Sequence, residues 1–438
     1  MNQTLFLIPQ AWLEGPILIV WLVLGLGVLA WLWKQHGWTA ETFNFLPVYG
    51  VVAALLYFVA PKIGITDINP ADPEGPEIKV GLAVRGYGMM MVAGIFAGAG
   101  LAMYRGRREG IHPERVTMLA FWMCICGVIG ARLFYVIQKR DQFGDPNGGL
   151  SLESLGDLIN MTQGGLVVYG ALLGAPLGGA IYLMMARIPI LKMADIVAPG
   201  MLVGLSLGRI GCLLNGCCFG GVCDIPQIAL QFPAGSPPYV RQLETGELLG
   251  INAINGTGKE GLPEKPDPNI EMYAESINED SLAAKAGVKS SNWFRIGFPP
   301  AKPIDKELRA IKQGGMDINS DISVQQGDNW LPIKLRDLPD HSLGVYPTQL
   351  IASINAAILA LLLWIYFPFR RRHGQVFALL IILYSITRFL MELIRTDEYG
   401  QFGTGLTISQ WVSVLLVLGG FALFAFAPVR EEEVSAAS

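Results

Sequence analysis

The chain has 438 residues, of which 52% are hydrophobic and 16% are charged, and its formal net charge is −4. Soluble domains usually carry about 25% charged residues, so the composition argues against a typical soluble protein and indicates an α-helical polytopic membrane protein. Since no basic block is interleaved with aromatic residues, we expect no nucleic-acid partner.

Nine apolar segments approach the roughly 20 residues that a helix needs to cross a bilayer. In chain order these predicted spans are 16–34, 44–61, 81–103, 115–137, 165–185, 193–214, 347–367, 375–395 and 405–427. The first two belong to an N-terminal extension (1–80), and the other seven form a core in two parts, 81–221 and 346–438. The polar stretch between these parts, 222–345, is predicted to be an extracytoplasmic insert of α/β or mostly β structure.

Three short basic connections predict the orientation, because Lys and Arg favour the cytoplasmic side of a membrane. These connections are 104–115, 186–192 and 369–373. If all three are cytoplasmic, the alternation of nine spans places the N-terminus and the insert outside and the C-terminus in the cytoplasm.

Polar side chains lie near the outer ends of six of these spans. They are Arg85, Tyr87, Arg132, Tyr135, Tyr169, Arg209, Asn215, Gln349, Arg388, Glu392 and Arg395. Ionisable groups inside a bilayer are costly and usually face a cavity. Terminal arginines can instead extend to the headgroups, an alternative that stays open for Arg85, Arg132 and Arg395. Agreement among six spans favours a site for an anionic phospholipid headgroup, because Arg matches phosphate oxygens bidentately.

Spacing within the eighth span supports a shared site. Arg388, Glu392 and Arg395 follow one another at i, i+4 and i+7, which places them on one helix face. Glu392 is predicted to pair with Arg388, either to orient its guanidinium or as a purely structural ion pair. Glycines near Arg209 either allow close helix packing or offer backbone N–H groups to a phosphate; they are Gly208, Gly211, Gly216, Gly220 and Gly221.

A series of ordered motifs resembles the phosphatidylglycerol:prolipoprotein diacylglyceryl transferases, from about residue 81 to 425 and interrupted by the insert. The motifs are RGYGMMM (85–91), GARLFYV (130–136), GGLVVYG (164–170), GRIGCLLNGCCFGG (208–221), YPTQL (346–350), YSITRFLMELIRTDE (384–398) and TISQW (407–411). The resemblance implies a multi-pass enzyme of the bacterial cytoplasmic membrane, with its active site near the outer leaflet.

The resemblance also implies the reaction and its residues. The diacylglyceryl group of phosphatidylglycerol passes to the lipobox cysteine in the signal peptide of a prolipoprotein, and neither a cofactor nor a metal is required. The implied catalytic residues are Arg209, Arg388, Glu392 and Tyr169. Those implied to bind phosphatidylglycerol are Arg209, Arg388, Tyr87, Arg85, Arg132, Asn215, Gly220 and Gln349.

Three departures from the family pattern affect the chemistry. Tyr169 stands where a histidine is common, and a tyrosine with an ordinary pKa of about 10 is a poor base. Proton removal therefore stays open among Glu392, a headgroup oxygen and water. Cys212 and Cys217 replace an asparagine and a glutamate, and Ala352 stands where many members have a glutamate.

The six cysteines lie in the fourth and sixth spans or just beyond them; they are Cys124, Cys126, Cys212, Cys217, Cys218 and Cys223. Their spacing is not a standard zinc spacing and no histidine is near, so we expect no metal site. Cys217, Cys218 and Cys223 are predicted at the oxidising outer face, where they either form a local disulfide or pack as small buried side chains.

Part of the insert has its own resemblance. Residues 274–297 resemble part of a PDZ domain, and 301–315 resemble its later helix. A PDZ-like module over about 250–338 would bind extended peptide by strand addition. A structural cap over the active site is the equally open alternative.

Two rival functions are a phospholipid-headgroup transporter and a non-catalytic lipid-binding scaffold. A transporter usually has internal repeats and a midplane site, whereas this sequence has no visible repeat and its charges cluster at one face. A scaffold would need neither Glu392 nor so many motifs. The sequence therefore favours the transferase.

Overall fold

The computed structural model describes residues 4–13, 15–37, 49, 53, 56–57, 65–67, 78–138, 167–255, 263, 272–297, 321–327, 329–392 and 406–427. The chain divides into two compact units. The first unit comprises Met1–Tyr87 and Cys212–Pro347, and the second comprises Gly88–Gly211 and Thr348–Ser438.

Helices account for most of the described residues. In chain order they are α1 (Gln10–Leu13), α2 (Pro16–His36), α3 (Gly86–Arg108), α4 (Pro113–Gln138), α5 (Val168–Met185), α6 (Ile190–Asn215), α7 (Pro237–Glu244), α8 (Leu282–Lys285), α9 (Thr348–Tyr366), α10 (Gln375–Glu392) and α11 (Ile408–Phe426). The second unit contains α4, α5, α9, α10 and α11, together with α3 from Gly88 and α6 up to Gly211.

Six helices among the described residues are long and apolar enough to cross a membrane: α3, α4, α6, α9 together with the turn that follows it, α10 and α11. Two shorter apolar helices, Pro16–Trp31 and Tyr169–Met185, coincide with the first and fifth predicted spans. The predicted span 44–61 lies mostly outside the described residues. The polytopic helical membrane fold is confirmed, while the count of nine spans stays a prediction.

Glycines let the helices of the second unit approach closely. A Cβ added to Gly98 of α3 would lie 2.6 Å from the carbonyl oxygen of Gly200 on α6. Gly130 of α4 and Gly170 of α5 likewise face each other's backbones with no room for a side chain. Any larger residue at these positions would separate the helices.

A buried polar network ties α6 to the start of α10. The carboxylate of Asp195, which is fully buried, accepts hydrogen bonds from the backbone N–H groups of Gly374 (2.8 Å) and Phe377 (2.9 Å). Arg370 donates to Glu109 at 2.7 Å, and its Nε lies 3.6 Å from Asp195. Arg370 belongs to the basic connection 369–373, yet its side chain is 1% exposed. The charge of Arg370 therefore links Glu109, which directly follows α3, with Asp195 on α6.

The first unit contains two antiparallel sheets. The strands are β1 (Thr4–Pro9), β2 (Ile65–Asp67), β3 (Ile78–Arg85), β4 (Ile251–Asn255), β5 (Met272–Ile277), β6 (Asn292–Gly297), β7 (Asp321–Gln326) and β8 (Asn329–Lys334). They are ordered β1-β3-β2 in one sheet and β4-β5-β6-β7-β8 in the other. The five-stranded sheet packs with α7 around a core that includes Leu243, Ile251, Phe294 and Ile322.

Local sequence explains the short helix of the PDZ-like stretch. The hydroxyl of Ser281 caps α8 by accepting from the N–H of Ala284 at 3.2 Å. Gly287 ends the turn with φ of 83°, a conformation that favours glycine. The predicted later helix, 301–315, lies outside the described residues, so the PDZ-like module stays a prediction.

We predict that Asp195→Ala lowers the free energy of unfolding by about 3–5 kcal/mol, because it removes the acceptor of two backbone N–H groups and one of the two carboxylates beside the buried Arg370. Arg371→Ala, at the exposed neighbouring arginine, should stay within about 0.5 kcal/mol of the parent. Denaturant titration in micelles measures both. Equal effects of the two substitutions would contradict the role assigned to Asp195.

Candidate functional site

Small polar side chains join α6, α9 and α10 in the second unit. The hydroxyl groups of Ser206 and Ser353 lie 3.0 Å apart, and the Ser353 hydroxyl also donates to the Ser206 carbonyl at 2.9 Å. Two residues further along α9, Asn355 donates to Thr387 of α10 at 3.0 Å. We call Ser206, Ser353, Asn355 and Thr387 the polar seam. The sequence alone did not single out these residues, although small polar residues in apolar helices are the known signal for such contacts.

The polar seam sets the register of the helices that carry two predicted arginines. Ser206 lies one turn before Arg209 on α6, and Thr387 directly precedes Arg388 on α10. Hydrogen bonds between apolar helices fix both their rotation and their sliding, because the alternative is a polar group left in hydrocarbon. The seam therefore fixes the positions of Arg209 and Arg388 through the two helices that carry them.

Arg388 is held by partners on α10 and α11. Its Nη1 lies 2.5 Å from a carboxylate oxygen of Glu392, and its Nη2 donates to the hydroxyl of Ser409 at 3.2 Å. Glu392 is 4% exposed, and Thr407 donates to its other oxygen at 3.5 Å. The pairing predicted from the i, i+4 spacing is confirmed. Thr407 and Ser409 of the TISQW motif add contacts that the sequence did not predict.

Arg209 differs from Arg388 in its surroundings. It lies on the last two turns of α6 and is half-buried. In the part of the chain that the structure describes, its guanidinium has no hydrogen bond, ion pair or ring contact. A cation on an apolar helix needs a counter-charge, so Arg209 is available to an anion from outside the protein.

Three further predicted residues belong to the second unit. Gln349 is buried in the first turn of α9, and Arg132 is buried near the end of α4, where its guanidinium lies 5.2 Å from the ring centre of Tyr135. Tyr169, in the first turn of α5, is 57% exposed. Among the described residues, Tyr169 has no hydrogen bond to Glu392 or Arg388, and its part in the reaction stays a prediction.

The signature loop after α6 belongs to the first unit. The N–H of Gly220 donates to the carbonyl of Tyr346 at 3.1 Å, and the N–H of Tyr346 donates to Gly221 at 3.0 Å. Two distant motifs are thereby joined. The N–H of Gly220 is therefore engaged within the protein, and the part of Gly220 in binding phosphatidylglycerol stays a prediction. Asn215, also predicted to bind substrate, is the last residue of α6 and is half-buried.

Two other predicted residues of the first unit flank the start of α3. Arg85 ends β3 and is exposed, and Tyr87 follows in the first turn of α3 with 39% of its side chain exposed. Both are accessible to a ligand. Arg395 lies outside the described residues.

Three cysteines meet where α6 ends. The Sγ atoms of Cys212, Cys217 and Cys218 all lie within 4.8 Å of one another. All six cysteines are thiols in the structure, so the alternative of a disulfide within 217–223 is not realised. Cys223 is buried, with its thiol directed at the Ile225 carbonyl at 3.5 Å. Linear spacing did not predict this three-sulfur group.

The chain matches known proteins over most of its length. Residues 77–426 match the family model described as prolipoprotein diacylglyceryl transferase. A phosphatidylglycerol--prolipoprotein diacylglyceryl transferase of Rhodopirellula baltica is 36% identical over 448 aligned residues, covering 95% of this chain and 87% of the relative. Phosphatidylglycerol--prolipoprotein diacylglyceryl transferase 2 of Clostridium perfringens is 25% identical over 345 residues, covering 78% and 91%.

We predict a coupling energy of about 1–3 kcal/mol between Arg388 and Glu392 in a double-mutant cycle with Arg388→Gln and Glu392→Gln. Removing either partner leaves a poorly solvated charge, whereas removing both does not. The exposed pair Arg336 and Asp337, whose side chains are 57% and 50% exposed, is the matched control and should couple by less than about 1 kcal/mol. Denaturant titrations of both cycles give the energies; equal coupling would refute the burial argument.

Proposed function

Because this chain belongs to the prolipoprotein diacylglyceryl transferase family, we propose that it transfers the diacylglyceryl group of phosphatidylglycerol to the lipobox cysteine of a prolipoprotein. The thiolate sulfur attacks the glycerol carbon that bears the phosphodiester. A carbon–sulfur bond forms, the carbon–oxygen bond breaks, and glycerol phosphate leaves. The chain is a multi-pass protein of the bacterial inner membrane.

The observation that carries the proposal is the guanidinium of Arg209, which has no partner among the described residues. The phosphodiester is an anion, and its leaving oxygen gains charge as the carbon–oxygen bond breaks. A fixed cation aimed at that oxygen stabilises the transition state more than the ground state. Arg209 therefore grips the phosphate and stabilises the leaving group.

Arg388 plays a different part, because Glu392 already balances its charge. The carboxylate at 2.5 Å and the hydroxyl of Ser409 at 3.2 Å fix the guanidinium plane. A guanidinium has five N–H donors, so two fixed contacts leave others to direct at a phosphate oxygen. Arg388 orients the headgroup, and Arg209 supplies the larger net charge.

Glu392 is assigned the orienting role. Its carboxylate forms an ion pair with Arg388 and accepts a hydrogen bond from the Thr407 hydroxyl, and these contacts hold it beside the guanidinium. The proton of the attacking thiol is then accounted for by the released glycerol phosphate or by water. Tyr169 has no part in the proton transfer.

Arg209→Lys should reduce the transfer rate by about 10²–10³-fold, equivalent to about 2–4 kcal/mol of transition-state stabilisation. Lysine keeps the charge but loses the two-pronged donor geometry. The rate is measured with phosphatidylglycerol and a lipobox peptide at equal membrane abundance.

Arg107→Lys, at an exposed arginine in the last turn of α3, is the matched control and should stay within a few-fold of the parent. A parent-like rate for Arg209→Lys would remove the phosphate-binding role. Failure of the parent itself to transfer the group, with lipid still bound, would favour a lipid-binding scaffold.

The orientation completes the proposal: the insert faces outside, and the connections α3–α4, α5–α6 and α9–α10 face the cytoplasm. Arginines that remain exposed around these connections support it through the bias of Lys and Arg for the cytoplasmic side; they are Arg107, Arg108, Arg115, Arg187 and Arg371. The N-terminus is then outside and the C-terminus inside.

Asp280→Cys, in an exposed turn of the insert, should react with an impermeant maleimide in spheroplasts, because that turn faces outside. Glu114→Cys, exposed at the start of α4, should react only after lysis. The unsubstituted chain controls for its own cysteines. Labelling of Glu114→Cys before lysis would reverse the orientation.

A further inference from the structure

The cysteines at the end of α6 are not used by the transfer reaction, since the substrate brings its own thiol. Cys212 lies in the last turn of α6, and the chain then reverses direction. Gly216 has φ of 74° and Cys218 has φ of 58°, and the N–H of Cys217 donates to the carbonyl of Cys212 at 3.1 Å. This reversal brings Cys217 and Cys218 back to Cys212.

We propose that Cys212, Cys217 and Cys218 form a three-thiolate site for a thiophilic metal ion, Zn²⁺ or Cu⁺. Their Sγ atoms already lie within 4.8 Å of one another. Metal–sulfur bonds of about 2.3 Å require sulfur–sulfur separations of about 3.8–4.0 Å. An approach of about 1 Å or less, within reach of side-chain rotation, completes the three bonds.

The donor set selects the class of metal. Thiolates are soft ligands that favour Cu⁺ and Zn²⁺, whereas Mg²⁺ and Ca²⁺ require oxygen ligands. The three sulfurs are half-buried, so a bound ion is partly shielded from water. No His, Asp or Glu joins them among the described residues. Three sulfurs complete a trigonal Cu⁺ site, or they leave one position of a tetrahedral Zn²⁺ site open to water.

The position in the fold also favours a cation. The end of a helix carries partial negative charge, because its last carbonyl groups have no helical partner. Cys212 lies in that last turn. A metal ion bound there interacts favourably with the helix end and balances the charge of the thiolates that form when it displaces their protons. Cys218 holds a left-handed backbone that a residue with a Cβ rarely adopts, and that conformation keeps its side chain within the group.

The test uses the full-length chain, purified in detergent under anaerobic conditions with a phosphine reductant. Zn²⁺ and Cu⁺ are added separately, and bound metal is counted by mass spectrometry after gel filtration. The parent should bind about one ion per chain and gain thiolate-to-metal charge-transfer absorption. The metal that gives this result identifies the ion.

Cys212→Ser, Cys217→Ser and Cys218→Ser should each weaken binding at least about 10-fold, since each removes one of three bonds. Cys223→Ser is the matched control, because Cys223 lies in the same segment but outside the group; it should bind like the parent. If one serine variant fails to fold, the other two decide.

Absence of binding of both metals by the parent overturns the proposal. So does parent-like affinity in the three serine variants. Alkylation followed by mass spectrometry of native membranes adds an independent readout. A disulfide between two of the three cysteines that resists the reductant would replace the metal site with a covalent link.

Discussion

The charge of Arg209, which no carboxylate among the described residues balances, is the constraint on which the proposed function depends. Placing a cation on an apolar helix costs free energy unless an anion or water compensates. Arg370 and Arg388 each have a protein carboxylate within 3 Å, whereas Arg209 has no such partner among the described residues. In the proposed reaction, the phosphodiester of the lipid supplies the counter-charge that the described residues do not give Arg209.

The polar groups around Arg209 make that arrangement stable. Hydrogen bonds of the polar seam hold α6 against α9 and α9 against α10. The position of Arg209 on α6 therefore does not depend on a salt bridge of its own. The network of Asp195, Arg370 and Glu109 holds the other end of α6. Because other residues hold the helices together, the guanidinium of Arg209 remains available to a ligand. A donor that is already in place needs little reorganisation during the reaction.

Local patterns in the sequence predicted the local parts of this structure. Apolar runs predicted the long helices, and the i, i+4 spacing predicted the pair of Arg388 and Glu392. The same reasoning missed Asp195, whose hydrogen-bond partners lie 179 and 182 residues away. The sequence placed Arg370 in a basic cytoplasmic connection and did not reveal its burial, because a basic loop reads the same whether its arginines are buried or exposed. Contacts between distant helices depend on packing, which one sequence without an alignment does not reveal.

The cysteines are a second case in which the fold brings together residues that linear spacing does not group. Linear spacing argued against a metal site, but two left-handed residues, Gly216 and Cys218, fold the signature loop back on α6. Two positions that depart from the family pattern, Cys212 and Cys217, thereby meet a third sulfur at Cys218. A glutamate at 217 would place a fixed negative charge in this loop, whereas thiols are neutral until a metal displaces their protons. The substitution therefore makes the charge of the loop conditional on metal.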